Sequence, residues 1–251
     1  MVPFALLRGD IFLMAGQPVG GGRAWARPHR RTAMILVSGF QGYGGRAANP
    51  SEQVARALDG ERIGGALIQS HVLPVDFGAM CRRMPALIDE LRPRMIVSLG
   101  LWPGEPMVRI ERVAANWSWF ELPDATGHRQ NGKVIEGGPD GYLTTLPADA
   151  MQAAIRAAGL PCRQSGSAGT YLCNAMSYVT LHHCAQHHPD TIAGFVHLPY
   201  LPAQVADLLD QVAAQGTVEM HQRADHASMN HADMIAALRI GIAAAWSVAQ
   251  G

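Results

Sequence analysis

The chain has 251 residues, 48% of them hydrophobic, which is enough for a full core in one large domain or two small ones. Twenty basic and twenty acidic side chains cancel, and no apolar run reaches the ~18 residues of a membrane span, so neither a nucleic-acid nor a membrane partner is expected. Four cysteines (Cys81, Cys162, Cys173, Cys184) stand far apart with no CxxC pair, which argues against a disulfide framework or a zinc knuckle and for reduced thiols in a cytoplasm.

Residues 1–33 differ from the rest. An apolar run is broken by Arg8-Gly9-Asp10, then Gly20-Gly21-Gly22 leads to Arg23, Arg27, Arg30 and Arg31. A secretory signal carries its charge first and keeps its apolar core unbroken. This order predicts instead a disordered N-terminal extension, or an over-long start with Met34 as the true beginning, followed by one domain over 34–251. Met34 to Ser38 is a short apolar run ending at Gly39 and reads as a buried strand. The glycine-rich loop Gly39 to Gly45 fits neither GxGxxG nor a P-loop, so phosphate binding is not expected. A helix should follow Asn49-Pro50, with Ser51 as its N-cap and Val54, Ala55 and Leu58 inside.

Ala66 to Val75 reads as a second strand, Phe77 to Leu91 as an amphipathic helix, and Met95 to Gly100 as another buried strand. Strand, helix, strand in this order implies a parallel pair and an α/β fold, with ligands beyond the carboxyl ends of the strands. Gly39 and Gly100 both fall at such ends. Met107 to Asn116 reads as one strand with Arg109, Glu111 and Arg112 among apolar positions. Either it is a solvated edge strand with an ion pair, or a carboxylate is aimed into a site. Residues 117–146 are rich in glycine and proline and read as a binding loop or lid, or as partly disordered.

Helices are expected over 148–158, after Cys173, over 203–214 and over 228–249, the last packed on the sheet. Short strands are expected over 161–164 and 192–198. His183 and His187 have the i, i+4 spacing of a helical metal site, but no general-base glutamate lies between them, and a solvated histidine cluster is the reading favoured.

A small, glycine-containing segment, Ser165 to Gly169, runs through Thr170-Tyr171-Leu172 into Cys173-Asn174 and then a periodic run. That reads as loop, cysteine, helix. Cys173 is then either a buried structural thiol or a nucleophile, the helix N-terminus favouring thiolate in the second case.

From Met34 onward the chain resembles the pyroglutamyl peptidase I family, the pyrrolidone-carboxylate peptidases. Four motifs carry the resemblance, in order. They are Gly39-Phe40-Gln41-Gly42-Tyr43-Gly44-Gly45 with Asn49-Pro50, Glu111-Arg112-Val113-Ala114-Ala115-Asn116, Gly169 to Asn174, and Phe195-Val196-His197-Leu198-Pro199-Tyr200. The resemblance implies a single α/β/α sandwich around a twisted mixed, largely parallel sheet. It implies cysteine exopeptidase activity that removes an N-terminal pyroglutamate (5-oxoproline) from a small peptide or amide through a thioacyl-enzyme. It also implies no metal or organic cofactor and a homo-oligomer, tetramer or dimer. The family's triad carries onto Cys173 as nucleophile, His197 as proton carrier and Glu111 as the group orienting His197. Phe40, Tyr43, Leu122 and Tyr171 fall where pocket residues are expected. Departures are Gln41-Gly42-Tyr43 where the family has an acidic residue, proline and phenylalanine, and Glu121 where an arginine is common. They keep open an amidase acting on another small acyl or lactam substrate. A non-catalytic relative is the third reading, and retention of all three triad positions weighs against it.

Overall fold

The computed structural model describes residues 33–43, 48–215 and 226–250; the extension expected over 1–33 lies outside them but for Ala33. The elements run β1 (Met34–Phe40), α1 (Pro50–Leu58), β2 (Arg62–Ile63), β3 (Ala66–Leu73), α2 (Phe77–Leu91), β4 (Met95–Leu101), β5 (Val108–Glu111) and β6 (Val113–Ala115). They continue with β7 (Ser118–Trp119), β8 (Asn131–Gly132), β9 (Gly141–Leu143), α3 (Ala148–Ala157), β10 (Cys162–Ser165), α4 (Leu172–His187), β11 (Ile192–Leu198), α5 (Pro202–Gln215) and α6 (His231–Gln250).

Seven strands form the main sheet in the order β10-β5-β11-β4-β1-β3-β2. β3, β1, β4 and β11 are mutually parallel; β5 is antiparallel to β11 and parallel to β10, and β2 is antiparallel to β3. The sheet is therefore mixed and largely parallel. Period-2 alternation decides which layer each side chain joins. Ile35, Val37, Met95, Val97, Leu99, Val196 and Leu198 face α1, α3 and α6. Leu36, Phe40, Ile96, Ala193 and Phe195 face α2 and α4. Strands buried on both faces give the continuous apolar runs seen in the sequence. The result is the α/β/α sandwich.

Several local expectations are corrected. The N-cap of α1 is Asn49, whose side chain accepts from Ser51 N, while Pro50 takes the first turn, where its missing N–H costs nothing. The Ser51 hydroxyl instead accepts from Phe40 N at 3.0 Å, and a Cβ on Gly39 would lie 2.3 Å from Ser51 O. The end of β1 and the start of α1 thus touch backbone to backbone, which only glycine at 39 permits. The strand expected over 107–116 is two strands, β5 in the main sheet and β6 paired with β9. β5 lies between β10 and β11 and all four of its residues are buried, so it is no solvated edge.

Residues 117–146 are largely loop, as expected, and Trp119, Glu121 and Leu122 among them line the cavity described below, but the segment is held in place. β7 pairs with β8, and two buried polar side chains stitch the segment together. Asn116 accepts from Val134 N and Ile135 N and donates to Ile135 O and Gly138 O. Asp124 accepts from Phe77 N, Thr126 N, Thr126 Oγ1 and His128 N. Burial alone would raise the Asp124 pKa; these hydrogen bonds to its charged form prevail and hold it below the ordinary value.

α6 is long and apolar enough, by length and composition, to cross a membrane. Its Met234, Ala237, Leu238, Ile242, Ala245 and Trp246 lie in the core shared with α1 and α3.

Candidate active site

The site forms where parallel strands end. Phe40 closes β1, Gly100 is the penultimate residue of β4, and its register partner on β11 is His197. β5 runs the other way and sets Arg109 opposite His197 and Glu111 opposite Phe195, so all four side chains share one face. α4 begins above these ends and brings Cys173 down at its second residue. A Cβ on Gly100 would lie 2.9 Å from Cys173 Sγ and 2.7 Å from the Phe195 ring, so the thiol rests where only a glycine leaves room.

His197 is fully buried. Its Nδ1 lies 2.7 Å from Glu111 Oε1, and its Nε2 has no hydrogen-bond partner among the described residues. Because the carboxylate accepts, the Nδ1 proton is held there and the Nε2 lone pair is left for a substrate or thiol. Behind Glu111 stands a buried charge cluster. Arg109 Nε lies 2.7 Å from Glu111 Oε1, a contact of charge rather than an aligned hydrogen bond. Arg109 also reaches Glu105, whose carboxylate takes two hydrogen bonds from Arg163 at 2.9 and 2.6 Å. Arg109, Glu105 and Glu111 thus compensate each other out of water, while Arg163, 43% exposed, caps the cluster from the solvent side. Trp102 packs its edge on the His197 ring at 5.0 Å, and the Arg109 guanidinium lies over the indole at 3.9 Å.

The segment before Cys173 is set by its own side chains. Gly169 has φ +77°, and a Cβ there would also press within 3.2 Å of Trp102. Thr170 Oγ1 donates to Trp119 O, Tyr171 OH donates to Pro123 O, and Asn174 pairs with the backbone of Ala115 and with Trp117 O. Thr170, Tyr171 and Asn174 therefore tie the start of α4 to 115–123.

The helix terminus does favour thiolate, as expected, but burial outweighs it. Burial pushes the Cys173 thiol up to about 12 and the Glu111 charge adds to this, against a smaller opposing effect of its own backbone N–H. Burial also pushes His197 below its ordinary value, outweighing the Glu111 hydrogen bond and charge that raise it. Thiol and imidazole both rest neutral near pH 7.

A cavity of about 580 Å³ opens at Cys173 and His197. The four pocket residues expected from the sequence, Phe40, Tyr43, Leu122 and Tyr171, all line it. Glu111 does not; it stands behind His197. Tyr43 and Tyr171 stack at 6.4 Å, both hydroxyls aimed at Pro123 O, and Leu122 is 66% exposed at the rim.

The pyroglutamyl peptidase family matches residues 33–247. The chain belongs to that family. It is 37% identical over 174 residues to the pyrrolidone-carboxylate peptidase of Pyrococcus furiosus, covering 69% of this chain and 84% of that one. To the Chromobacterium violaceum protein of the same name it is 40% identical over 171 residues, covering 68% and 79%. The solved pyrrolidone carboxyl peptidase of Thermococcus litoralis superposes with a TM-score of 0.80 at 30% identity, covering 87% of this chain and 96% of that one.

As a pyroglutamyl peptidase family member, the chain holds residues that sequence reasoning missed. Trp102, Trp119 and Val75 line the cavity, and Glu105 and Arg163 complete the charge cluster. Trp102 follows directly on the carboxyl end of β4, a placement that could have flagged it. Glu105 stands four residues before Arg109, a spacing that could have flagged that pair, whereas Arg163 is 58 residues from Glu105 and carried no such signal.

Proposed function

We infer that the protein is a pyroglutamyl peptidase, a cysteine exopeptidase that hydrolyses the amide bond after an N-terminal pyroglutamate through a thioacyl-enzyme. The observation that carries the reading is one cavity lined by Cys173 and His197, with Glu111 2.7 Å behind the ring. The thiol proton moves to His197 Nε2 as the Cys173 sulfur bonds to the pyroglutamyl carbonyl carbon. First-turn N–H groups of α4, including that of Cys173, face the developing oxyanion. His197 then protonates the departing amine, leaving a thioester. Water attacks that carbonyl, giving its proton to Nε2, and the sulfur leaves and takes the proton back. Glu111 holds the ring in the required tautomer throughout.

A neutral lactam suits this pocket. Among the described lining residues none is lysine or arginine, so a free carboxylate on the acyl group would find no cationic partner. The deciding assay is release of coumarin from a pyroglutamyl-coumarin amide by folded, reduced protein. Release supports the reading. No release from such protein would shift the weight to an amidase with another acyl group. The four free thiols support a reducing compartment, which we propose is the cytoplasm.

Two further results are expected. Alkylation of Cys173 by iodoacetamide should rise steadily with pH through pH 9, since the resting thiol sits near 12. A plateau below pH 7 would show a resting thiolate–imidazolium pair instead. The second concerns the residue after the scissile bond. Glu121 is the one carboxylate among the described lining residues and is exposed. Pyroglutamyl-lysyl peptides should be cleaved about 2–5-fold faster (kcat/KM) than pyroglutamyl-glutamyl ones, the scale of an exposed ion pair. Glu121→Gln should erase that ratio; an unchanged ratio would place the preference elsewhere.

A further inference from the structure

A second cluster lies between α2 and α4, and none of its members lines the cavity. His183 Nε2 and His188 Nε2 lie 2.8 and 2.7 Å from the same oxygen, Asp89 Oδ1. These three atoms all fall within 4.8 Å of one another. We propose that Asp89, His183 and His188 bind a divalent transition-metal ion of the zinc class, cross-linking the two helices that form one layer of the sandwich.

The donor set is one that zinc takes, two imidazole nitrogens and a carboxylate oxygen, with room for water as the fourth ligand. The two histidine side chains are only 15% and 19% exposed, whereas Asp89 is 57% exposed. The nitrogens are therefore held by packing while the carboxylate is free to adjust. Tetrahedral bonds of 2.0–2.1 Å put neighbouring donors about 3.3 Å apart. The observed 2.7–2.8 Å has to open by about half an ångström, a movement within reach of an exposed aspartate. Without metal each Nε2–H donates to Asp89. With metal each ring carries its proton on Nδ1 and turns the Nε2 lone pair to the ion, so a neutral pair releases no proton.

The sequence pointed to His183 and His187, one turn apart. The structure replaces His187 with His188, whose backbone N–H bonds Cys184 O at the end of α4. His187 packs its ring on His183 at 4.7 Å. Its i, i+4 spacing was a true signal of the neighbourhood but not of the ligand set.

His183 is ten residues along α4 from Cys173, about 15 Å at 1.5 Å per residue. Ion binding here should be read as stability, not turnover. Because Cys173 and His197 are themselves a soft donor pair, the test uses full-length, tag-free Cys173→Ser protein, stripped with EDTA. Titrated with Zn²⁺ at pH 7.5, its Tm should rise by about 5 °C at saturation. One equivalent of Co²⁺ should give visible d–d absorption. Asp89→Asn and His188→Gln in the same background should each lose the rise and the absorption, while their metal-free Tm stays within a few degrees of the parent. No rise in the Cys173→Ser protein, or an equal rise in both variants, overturns the proposal. Should one variant fail to fold, the other decides.

Discussion

Cys173→Ala is expected to lower kcat for a pyroglutamyl amide by about 10⁴ or more, to the residual rate that binding and oxyanion stabilisation supply without a nucleophile. No other cysteine can take over. Cys162 and Cys184 are buried in the core, and Cys81 does not line the cavity. The variant should fold, because the thiol sits over Gly100 with no structural hydrogen bond to another side chain. Its Tm should stay within about 2 °C of the parent. Burst-phase kinetics should show no acyl-enzyme, and iodoacetamide labelling at the cavity should vanish. Activity retained within tenfold of the parent would remove Cys173 as nucleophile.

Glu111→Gln should be nearly as damaging, cutting kcat by about 10³–10⁴, for a different reason. A carboxylate can only accept, so it holds the proton on His197 Nδ1. An amide can present its NH₂ and admit the wrong tautomer. The change also leaves Arg109, Arg163 and Glu105 with one uncompensated positive charge beside His197. Glu111 raises the His197 pKa and Arg109 lowers it, so losing Glu111 lowers it further. The acid limb of kcat/KM should therefore move to lower pH in the variant. Stability should fall by about 1–3 kcal/mol, less than the cost of orphaning a buried charge, because Arg109 keeps Glu105 as a partner. Glu111 and Arg109 are 1% and 7% exposed, which places them in the buried regime. Urea denaturation and a pH–rate profile measure the two effects separately. An unmoved acid limb with a normal kcat would deny Glu111 its positioning role.

Much of the fold was legible because its causes are local. Runs such as Met34 to Val37 and Met95 to Val97 are apolar throughout because their strands are covered on both faces, a pattern visible in these few residues. The helix after Cys173 was legible from the glycine-containing loop before it and the apolar run after it. Its low amphipathicity, with Leu172 and Asn174 to Leu181 all buried, reflects coverage on several sides that a single stripe would not show. Where local cues failed, a distant partner decided. Asn49 rather than Ser51 caps α1 because the Ser51 hydroxyl is used by Phe40 N on β1. Residues 117–146 read as a binding loop or lid, or as partly disordered, because their glycines and prolines break any period, and Trp119, Glu121 and Leu122 do line the cavity. The segment is ordered by Asn116 and Asp124, whose side chains reach 18 to 22 residues onward and 47 residues back.

The candidate site divides the same way. Cys173, His197 and Glu111 were identifiable from the sequence because each stands in its own short motif, as do Phe40, Tyr43 and Tyr171. Arg163 was not, since its pairing with Glu105 has no sequence spacing until β10 is laid beside β5, and Trp102 was passed over although it follows directly on β4. By itself the sequence determined which chemical groups are present, in what order, and which strands and helices carry them, because those depend on side-chain type and short-range period. Tertiary structure alone decided their protonation. The free energy of a thiolate or an imidazolium depends on water removed by residues far along the chain, and here that burial pushes the Cys173 pKa up and the His197 pKa down.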